Sequence, residues 1–278
     1  MPAAPPHVAP FDAAAEGYDA AFSDRLLGRL LRGLLHETLD RHLPRQGRLL
    51  ELGCGTGVDA TFMARRGANV VAGDLSAEML AATRTRAEAA GVGDRVEAVR
   101  LDLARPLELR TSHGDAADGG LDRSFDGAWS AFGPLNCVAD RRALGAALQR
   151  WLEPGARVVL VPMARFAPWD WLWYGAHLRP GAAVRRLRRY PRADLPGGGR
   201  LPLTYPTLRQ LDAEMGPGLR RVEARGLGVL LPISEAAGLV ERLPRLFEAA
   251  AAIERGLAGR GLSPHLCDHV AVVYERDR

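Results

Sequence analysis

A glycine-rich turn at residues 53–57 constrains the fold of this chain more than any other feature. An apolar run from Leu49 to Leu52 leads into it, and glycines then stand at alternate positions, Gly53, Gly55 and Gly57. Glycine adopts left-handed backbone conformations and lets a ligand approach the main chain closely. We therefore predict a strand, a tight turn and a helix whose N-terminus faces a ligand.

An acidic residue follows the turn at a fixed distance along the chain. Residues 69–73 form another apolar run, and Asp74 comes directly after it, seventeen residues beyond Gly57. An acid at the end of the second strand of such a unit can accept hydrogen bonds from ribose hydroxyls. The pattern predicts a nucleoside-containing cofactor.

Apolar runs and helical periodicities alternate along most of the chain. Strands are expected at 47–52, 69–73, 96–101, 125–131, 157–162, 220–230 and 268–275. Helices are expected at 16–43, 58–66, 77–90, 139–152, 207–215 and 234–258, and a polar loop at 104–124. This order predicts an α/β fold with a doubly wound, mostly parallel sheet, which is Rossmann-like.

The chain has 278 residues, enough for one large domain with a cap. We expect a flexible tail (1–15), an N-terminal helical lid (16–46), a cofactor-binding core (47–163), a cap insertion of one or two helices and a glycine loop (164–206), and the C-terminal part of the core sheet (207–278). No apolar run approaches the roughly 20 residues that span a bilayer, so no integral membrane segment is expected. The three cysteines fit no metal spacing, so we expect no metal and a cytoplasmic location.

The residues around the turn discriminate between nucleoside cofactors. A P-loop requires a lysine, and the chain contains none. A dinucleotide fingerprint requires a third glycine where Val58 stands, and Glu51 would repel a pyrophosphate. A cationic ligand explains Glu51 better, which favours S-adenosylmethionine with its sulfonium and ammonium groups.

The segment Glu51-Leu-Gly-Cys-Gly-Thr-Gly57 resembles the first motif of class I S-adenosylmethionine-dependent methyltransferases of the small-molecule type, and the order of elements over 49–162 resembles their core. The resemblance implies a seven-stranded sheet whose last strand is antiparallel, and methyl transfer as the activity. The cofactor-binding residues that it implies are Tyr18, Glu51, Gly53, Cys54, Gly55, Gly57, Asp74, Leu75, Met79, Asp102, Leu103 and Ser130.

Their implied roles divide along the cofactor. The three glycines lie under the methionine part, Asp74 holds both ribose hydroxyls, and Leu75 and Met79 flank the adenine. Asp102 and the backbone of Leu103 meet the adenine amino group. Residues 130–133 pass beneath the methionine, and Tyr18 lies over the cofactor.

The segment 164–203 interrupts the alternation after the fifth predicted strand, at the sheet edge where such folds bind ligands. It holds three tryptophans and eight arginines, Arg165, Arg179, Arg185, Arg186, Arg188, Arg189, Arg192 and Arg200. We expect a substrate pocket lined by Phe132, Asn136, Trp169, Trp173, Tyr174 and His177, with His177, Asp170 or Tyr205 as candidate catalytic bases. The alternative is an aromatic helix that only anchors the insertion, with a solvated arginine face.

We predict methyl transfer to an O, N or C acceptor of a small metabolite, in secondary metabolism, with S-adenosylhomocysteine as product and a monomer or homodimer as the assembly. Charge confined to one insertion argues against a nucleic-acid substrate. One alternative is a lipid-like or carrier-bound anionic substrate, or a non-methylation reaction of the same cofactor. An alternative of another class is a non-catalytic scaffold partner.

Overall fold

The computed structural model describes residues 11–106, 124–188, 191–194, 200–257 and 263–278. Most of the predicted tail and of the predicted loop at 104–124 lies outside these residues, as does the predicted glycine loop at 197–199. Within the described residues, no helix is both long enough and apolar enough to cross a membrane.

Seven strands form the central sheet, and two short strands form a separate hairpin. They are β1 (Arg48–Leu52), β2 (Asn69–Asp74), β3 (Val96–Arg100), β4 (Phe125–Ser130), β5 (Leu152–Leu160), β6 (Arg192–Asp194), β7 (Arg200–Pro202), β8 (Leu219–Leu227) and β9 (His269–Arg276). The sheet order is β3-β2-β1-β4-β5-β9-β8, with β6 and β7 paired apart. Strands β1 to β5 pair in parallel, whereas β9 is antiparallel to both neighbours. The predicted mostly parallel sheet with an antiparallel last strand is confirmed.

Helices cover both faces of the sheet. They are α1 (Ala15–Tyr18), α2 (Leu26–His42), α3 (Val58–Arg65), α4 (Ala77–Ala89), α5 (Arg142–Trp151), α6 (Pro168–Ala176), α7 (Pro180–Ala183), α8 (Leu208–Met215), α9 (Ala237–Arg242) and α10 (Pro244–Leu257). Successive side chains of β1 point to opposite faces, so Leu49 packs with α2, α3 and α10, and Leu50 with α5 and α8. These two buried clusters make the fold doubly wound, as predicted.

The prediction of one continuous helix over 16–43 is wrong. A π-helical turn (Asp19–Ser23) follows α1, and α2 begins only at Leu26. The cause is close packing of the chain on itself, because a Cβ at Gly28 would lie 1.9 Å from the Phe22 carbonyl oxygen. Because the helix is broken here, Phe22 packs closely against the first turn of α2.

The predicted helix over 234–258 is also interrupted, between α9 and α10. Leu243 stands immediately before Pro244 and has φ −127° and ψ 53°, outside the helical region. The proline ring disfavours the helical conformation of the residue before it. The C-terminal helix therefore starts afresh at the proline.

The insertion is fastened to the sheet by a buried arginine. Arg186 donates hydrogen bonds to the Ala164 and Asp268 carbonyl oxygens, each at 3.0 Å, and forms ion pairs with Asp170 and Asp268. Burial acts to raise the pKa of Asp268, but His269 and Arg186 outweigh it and hold that pKa below its ordinary value. A buried charge network thus fixes α6 and α7 beside β9.

Candidate active site

A cavity of about 400 Å³ lies at the carboxyl ends of β1, β2 and β4. Glu51 of β1, Asp74 at the end of β2 and Asp102 after β3 bring acids to its wall. Phe132 and Gly133, which follow β4, form a further part of the lining. This is the edge of an open α/β sheet where ligands bind.

The three glycines of the turn all have left-handed backbone, with φ of 78°, 52° and 76°. Packing excludes a side chain at two of them. A Cβ at Gly53 would lie 2.5 Å from Pro134, and one at Gly57 would lie 2.9 Å from the Thr83 Cα. A Cβ at Gly55 would meet no atom within 4 Å, and Gly55 lines the cavity. The middle glycine therefore leaves room for a ligand rather than for the protein.

Asp74 is held by backbone amides on both sides of the cavity floor. Its Oδ2 accepts a hydrogen bond from the Gly55 amide and its Oδ1 one from the Ser76 amide, both at 3.0 Å. Burial raises the pKa of Asp74, and the amides offset this only in part. Each oxygen keeps a lone pair for a ligand hydroxyl.

Glu51 leaves one buried oxygen without a partner. Its Oε1 accepts a hydrogen bond from the Trp129 indole at 3.0 Å, whereas Oε2 has no hydrogen bond to any described residue. Burial, reinforced by Asp59, raises the pKa of Glu51 well above its ordinary value. An unsatisfied buried carboxylate oxygen costs about 1–3 kcal/mol or more. A cationic group in the cavity would supply the missing partner.

Arg32 and Asp59 also line the cavity, and the sequence analysis missed both. Arg32 donates a hydrogen bond to Asp59 Oδ2, and His36 Nε2 lies 2.7 Å from Oδ1. Burial opposes ionisation of Asp59, but Arg32 and His36 outweigh it and lower its pKa to about 2. The sequence did contain a signal for this pair: Arg32 lies on the buried, leucine-rich side of α2, and a buried arginine requires an acid opposite it.

Aromatic rings close the cavity near the N-terminal segment. The Tyr18 ring lies 6.3 Å from Phe22, whose ring lies 5.5 Å from Phe132. Phe132 has φ 53°, a conformation that few residues other than glycine adopt, and its ring also contacts His269 edge-on at 5.2 Å. Burial raises the pKa of Tyr18, so its hydroxyl stays protonated.

Most predicted cofactor-binding residues meet at this cavity. The predicted site residues that line it are Tyr18, Glu51, Gly53, Cys54, Gly55, Asp74, Leu75, Met79, Asp102, Leu103 and Phe132. Outside the insertion, Gly57, Ser130 and Asn136 are the predicted site residues that do not line it. Gly57 packs behind the turn, the Ser130 hydroxyl donates to the Leu52 carbonyl oxygen at 2.7 Å, and the Asn136 amide donates to Met163 and Thr204 carbonyl oxygens.

The structure does not bring the predicted aromatic residues of the insertion, or the candidate bases His177 and Tyr205, to the cavity. The reason is that α6 packs against residues 233–236 instead, through Trp169, Trp173 and Tyr174. Tyr205 lies beneath Arg186, with the guanidinium 5.5 Å from its ring. His177 is exposed and bonds to the Trp173 carbonyl oxygen at 2.7 Å.

Asp170 is likewise unsuited to the predicted role of a base. Its carboxylate is buried and forms ion pairs with both Arg185 and Arg186. Burial raises the pKa of Asp170, although the two arginines oppose this. Both oxygens are engaged within the insertion, away from the cavity lining.

The wall beyond the acids is apolar. It is lined by Ala131, Pro134, Val138, Met163, Leu201 and Leu203. Leu201 belongs to β7, and Ala193 of β6 lies beside it, so the hairpin supplies the insertion's share of the wall. Cys137 adds a thiol, and burial, reinforced by Asp74, raises its pKa to about 11. Among the described lining residues, this wall carries no carboxylate or imidazole.

Residues 49–155 match the model of a family described as a methyltransferase domain. The chain is 40% identical over 114 residues to a demethylmenaquinone methyltransferase of Clavibacter sepedonicus, covering 41% of this chain and 40% of that protein. It is 36% identical over 105 residues to a tRNA 5-carboxymethoxyuridine methyltransferase of Escherichia coli, covering 35% and 40%. The chain therefore spans about two fifths of the length of these curated relatives.

A solved structure resembles nearly the whole chain. The CcbJ methyltransferase from Streptomyces caelestis superposes with a TM-score of 0.60 at 18% identity, covering 98% of this chain and 99% of that one. The fold is thus that of class I methyltransferases. Residues 49–155 form a methyltransferase domain of the S-adenosylmethionine-dependent class, which confirms the class and cofactor expected from the sequence.

Proposed function

We propose that this protein transfers a methyl group from S-adenosylmethionine to a small molecule whose reacting part is surrounded by apolar side chains. One observation carries the proposal: Glu51 Oε2, without a partner among the described residues, lines the same cavity as Asp74 and Gly55. Glu51 fits the ammonium group of that cofactor and Asp74 fits its ribose. Gly55 lets the cofactor approach the backbone closely. The donor set therefore suits S-adenosylmethionine better than a phosphate-bearing ligand.

Different residues would bind different parts of the cofactor. Glu51 would pair with the ammonium group, and Asp74 would accept hydrogen bonds from the ribose hydroxyls. Leu75 and Met79 would contact the adenine, with Asp102 and the Leu103 backbone at its amino group. This assignment is supported by their common cavity and by the resemblance of the motif.

When bound, the cofactor supplies an electrophilic methyl group on a sulfonium. The chain's own task is to orient the acceptor and exclude water, which the apolar wall of Met163, Leu201 and Leu203 does. That wall carries no carboxylate or imidazole among its described residues, so no side chain there is suited to proton removal.

The nature of the acceptor is proposed from the cavity. An apolar wall in a cavity of about 400 Å³ favours a small molecule over a charged polymer. The named relatives differ in this respect, since one is a demethylmenaquinone methyltransferase and the other a tRNA 5-carboxymethoxyuridine methyltransferase. A role in secondary metabolism, a cytoplasmic location and a monomer or homodimer remain predictions.

Calorimetric titration with S-adenosylhomocysteine and S-adenosylmethionine tests the proposal. We expect Asp74→Asn to weaken binding of both about tenfold or more, because a charge-assisted hydrogen bond is lost. Glu51→Gln should weaken both as well. Asp140→Asn is the matched control, since that carboxylate is 60% exposed and does not line the cavity. Absence of binding to the unaltered protein, or equal affinity of all four proteins, would refute the proposal.

A further inference from the structure

The insertion presents large apolar side chains to solvent. Trp171 and Leu172 lie on the outer side of α6 and are 42% and 63% exposed, whereas Trp169 and Trp173 face the protein. Leu178, just after α6, is 89% exposed. We define the apolar cap surface as the exposed side chains of this segment, Phe166, Trp171, Leu172, Leu178, Val184 and Leu187. Six large exposed apolar groups within 22 residues mark an interaction surface rather than scattered exposure.

Leu178 stands out within this surface because its backbone is strained. Its φ is 54°, in the left-handed region that favours glycine, and a leucine there costs about 1 kcal/mol. The side chain buries almost none of its surface in return. The left-handed backbone ends α6, since the Arg179 amide donates to the Tyr174 carbonyl oxygen at 2.8 Å, but a glycine would do this without the strain.

Three exposed arginines of the insertion have no acidic partner within the described part of the chain. Arg179, Arg188 and Arg192 are exposed and form no ion pair with any described residue. Asp170, the acid of α6, is buried and already paired with Arg185 and Arg186. The exposed side chains of this insertion therefore include both apolar groups and cations without an acidic partner among the described residues.

This combination selects one occupant. Tryptophan and leucine beside arginine suit the boundary between the headgroups and acyl chains of an anionic membrane. A second copy of the chain would bring like charges together, and a nucleic acid would leave Leu172 and Leu178 without apolar partners. We propose that the apolar cap surface docks this protein onto anionic lipid membranes, with Trp171, Leu172 and Leu178 inserted and the arginines at lipid phosphates.

Docking would also bear on the cavity, because β6 and β7 of the same insertion form part of its wall. The proposal stands independently of methyl transfer, since it rests on surface residues outside the cavity lining. Cofactor binding therefore serves as a check that each variant is folded. Failure of the unaltered protein to bind the cofactor would contradict the proposed function and leave the docking proposal untouched.

Co-sedimentation of the full chain with vesicles tests the proposal. We expect binding to vesicles of phosphatidylcholine mixed with phosphatidylglycerol, weakened by salt, and far less binding to phosphatidylcholine alone. The variant Trp171→Ala/Leu172→Ser/Leu178→Gly should lower the bound fraction about tenfold or more. The variant Arg179→Gln/Arg188→Gln/Arg192→Gln should reduce binding to the level of neutral vesicles.

Matched controls lie elsewhere on the surface. Ile253→Ser removes an apolar side chain that is 58% exposed on α10, and Arg150→Gln removes an exposed cation at the end of α5. Both should leave vesicle binding unchanged. Equal binding of all variants, or no binding of the unaltered chain to anionic vesicles, would overturn the proposal. So would light scattering in which the apolar variant dissociates a dimer that does not bind vesicles.

Discussion

Arg32 and Asp59 form a buried ion pair between α2 and α3, and both side chains line the cavity. The pair joins the N-terminal helical segment to the first turn of the helix that follows the glycines. His36 bonds to the other oxygen of the same carboxylate, so Asp59 has charged or polar partners on both sides. Neither partner belongs to the cofactor motif, yet together they fix the floor next to Glu51.

Breaking this pair should be costly. Arg32→Met leaves Asp59 buried without its cation, and we expect a loss of about 3 kcal/mol in the free energy of unfolding. The double variant Arg32→Met/Asp59→Leu removes both charges and should recover part of that loss. Urea unfolding measures both. Arg29→Met, on the exposed side of α2, is the control, and similar losses for Arg29 and Arg32 would contradict the role of the pair.

The same pair predicts that the folded protein loses stability at low pH. The pKa of Asp59 is about 2 in the fold and about 3.9 in an unfolded chain, so its stabilising effect is complete above the unfolded value. It is lost as the pH falls through the folded value. Asp59→Asn should flatten the stability profile between about pH 4 and pH 2. A profile unchanged by this substitution would show that Asp59 does not cause this loss.

Cofactor affinity should rise with pH. The pKa of Glu51 is raised in the free protein, whereas an ammonium partner favours the charged carboxylate, so binding releases a proton. Affinity should therefore increase as the pH rises above the ordinary titration range of a glutamate, and level off once Glu51 is ionised in the free protein. Glu51→Gln should reduce this slope, and the slope that persists belongs to Asp74, whose pKa is raised as well. An identical slope in both proteins would contradict the assignment.

Substitutions at Gly55 and Gly57 should separate an effect on stability from an effect on ligand binding. Gly57→Ala forces a Cβ against the Thr83 backbone and should lower the midpoint temperature of unfolding clearly. Gly55→Ala adds only the cost of left-handed backbone, about 1 kcal/mol, but fills part of the cavity. We expect Gly55→Ala to abolish binding of S-adenosylhomocysteine in a protein that remains folded. Wild-type affinity in that variant would place the ligand elsewhere.

Phe132 tests whether backbone strain persists at the cavity. Phe132→Gly and Phe132→Ala remove the same ring contacts with Phe22 and His269. Only glycine relieves the positive φ, so the glycine variant should be more stable than the alanine variant by about 1 kcal/mol. Chemical denaturation of the two variants gives this difference directly. Equal stability would mean that the strand end relaxes.

The donor half of the site could be predicted from the sequence because each of its residues has a local cause. Apolar runs end in Glu51 and Asp74, and parallel strands bring their carboxyl ends to one edge. The acceptor half depends on contacts between distant segments. The packing of α6 against residues 233–236 and the charge network of Arg186 have no periodic signal, so composition suggested an aromatic pocket where the structure has an anchor.

The helix breaks follow the same division. Pro244 is visible in the sequence and explains the break at Leu243, a local rule that the helical periodicity obscured. The break before α2 depends on how closely Phe22 approaches Gly28, which becomes known only once the chain is folded.

The hairpin of β6 and β7 carries a consequence for how specificity can change. It lies outside the central sheet, yet it supplies part of the apolar wall, while the groups assigned to the cofactor lie on the sheet edge and its glycine turn. Under the proposed function, exchanging β6 and β7 would reshape the acceptor side and leave the donor side intact. Substrate choice and binding of the methyl donor would then be open to separate alteration.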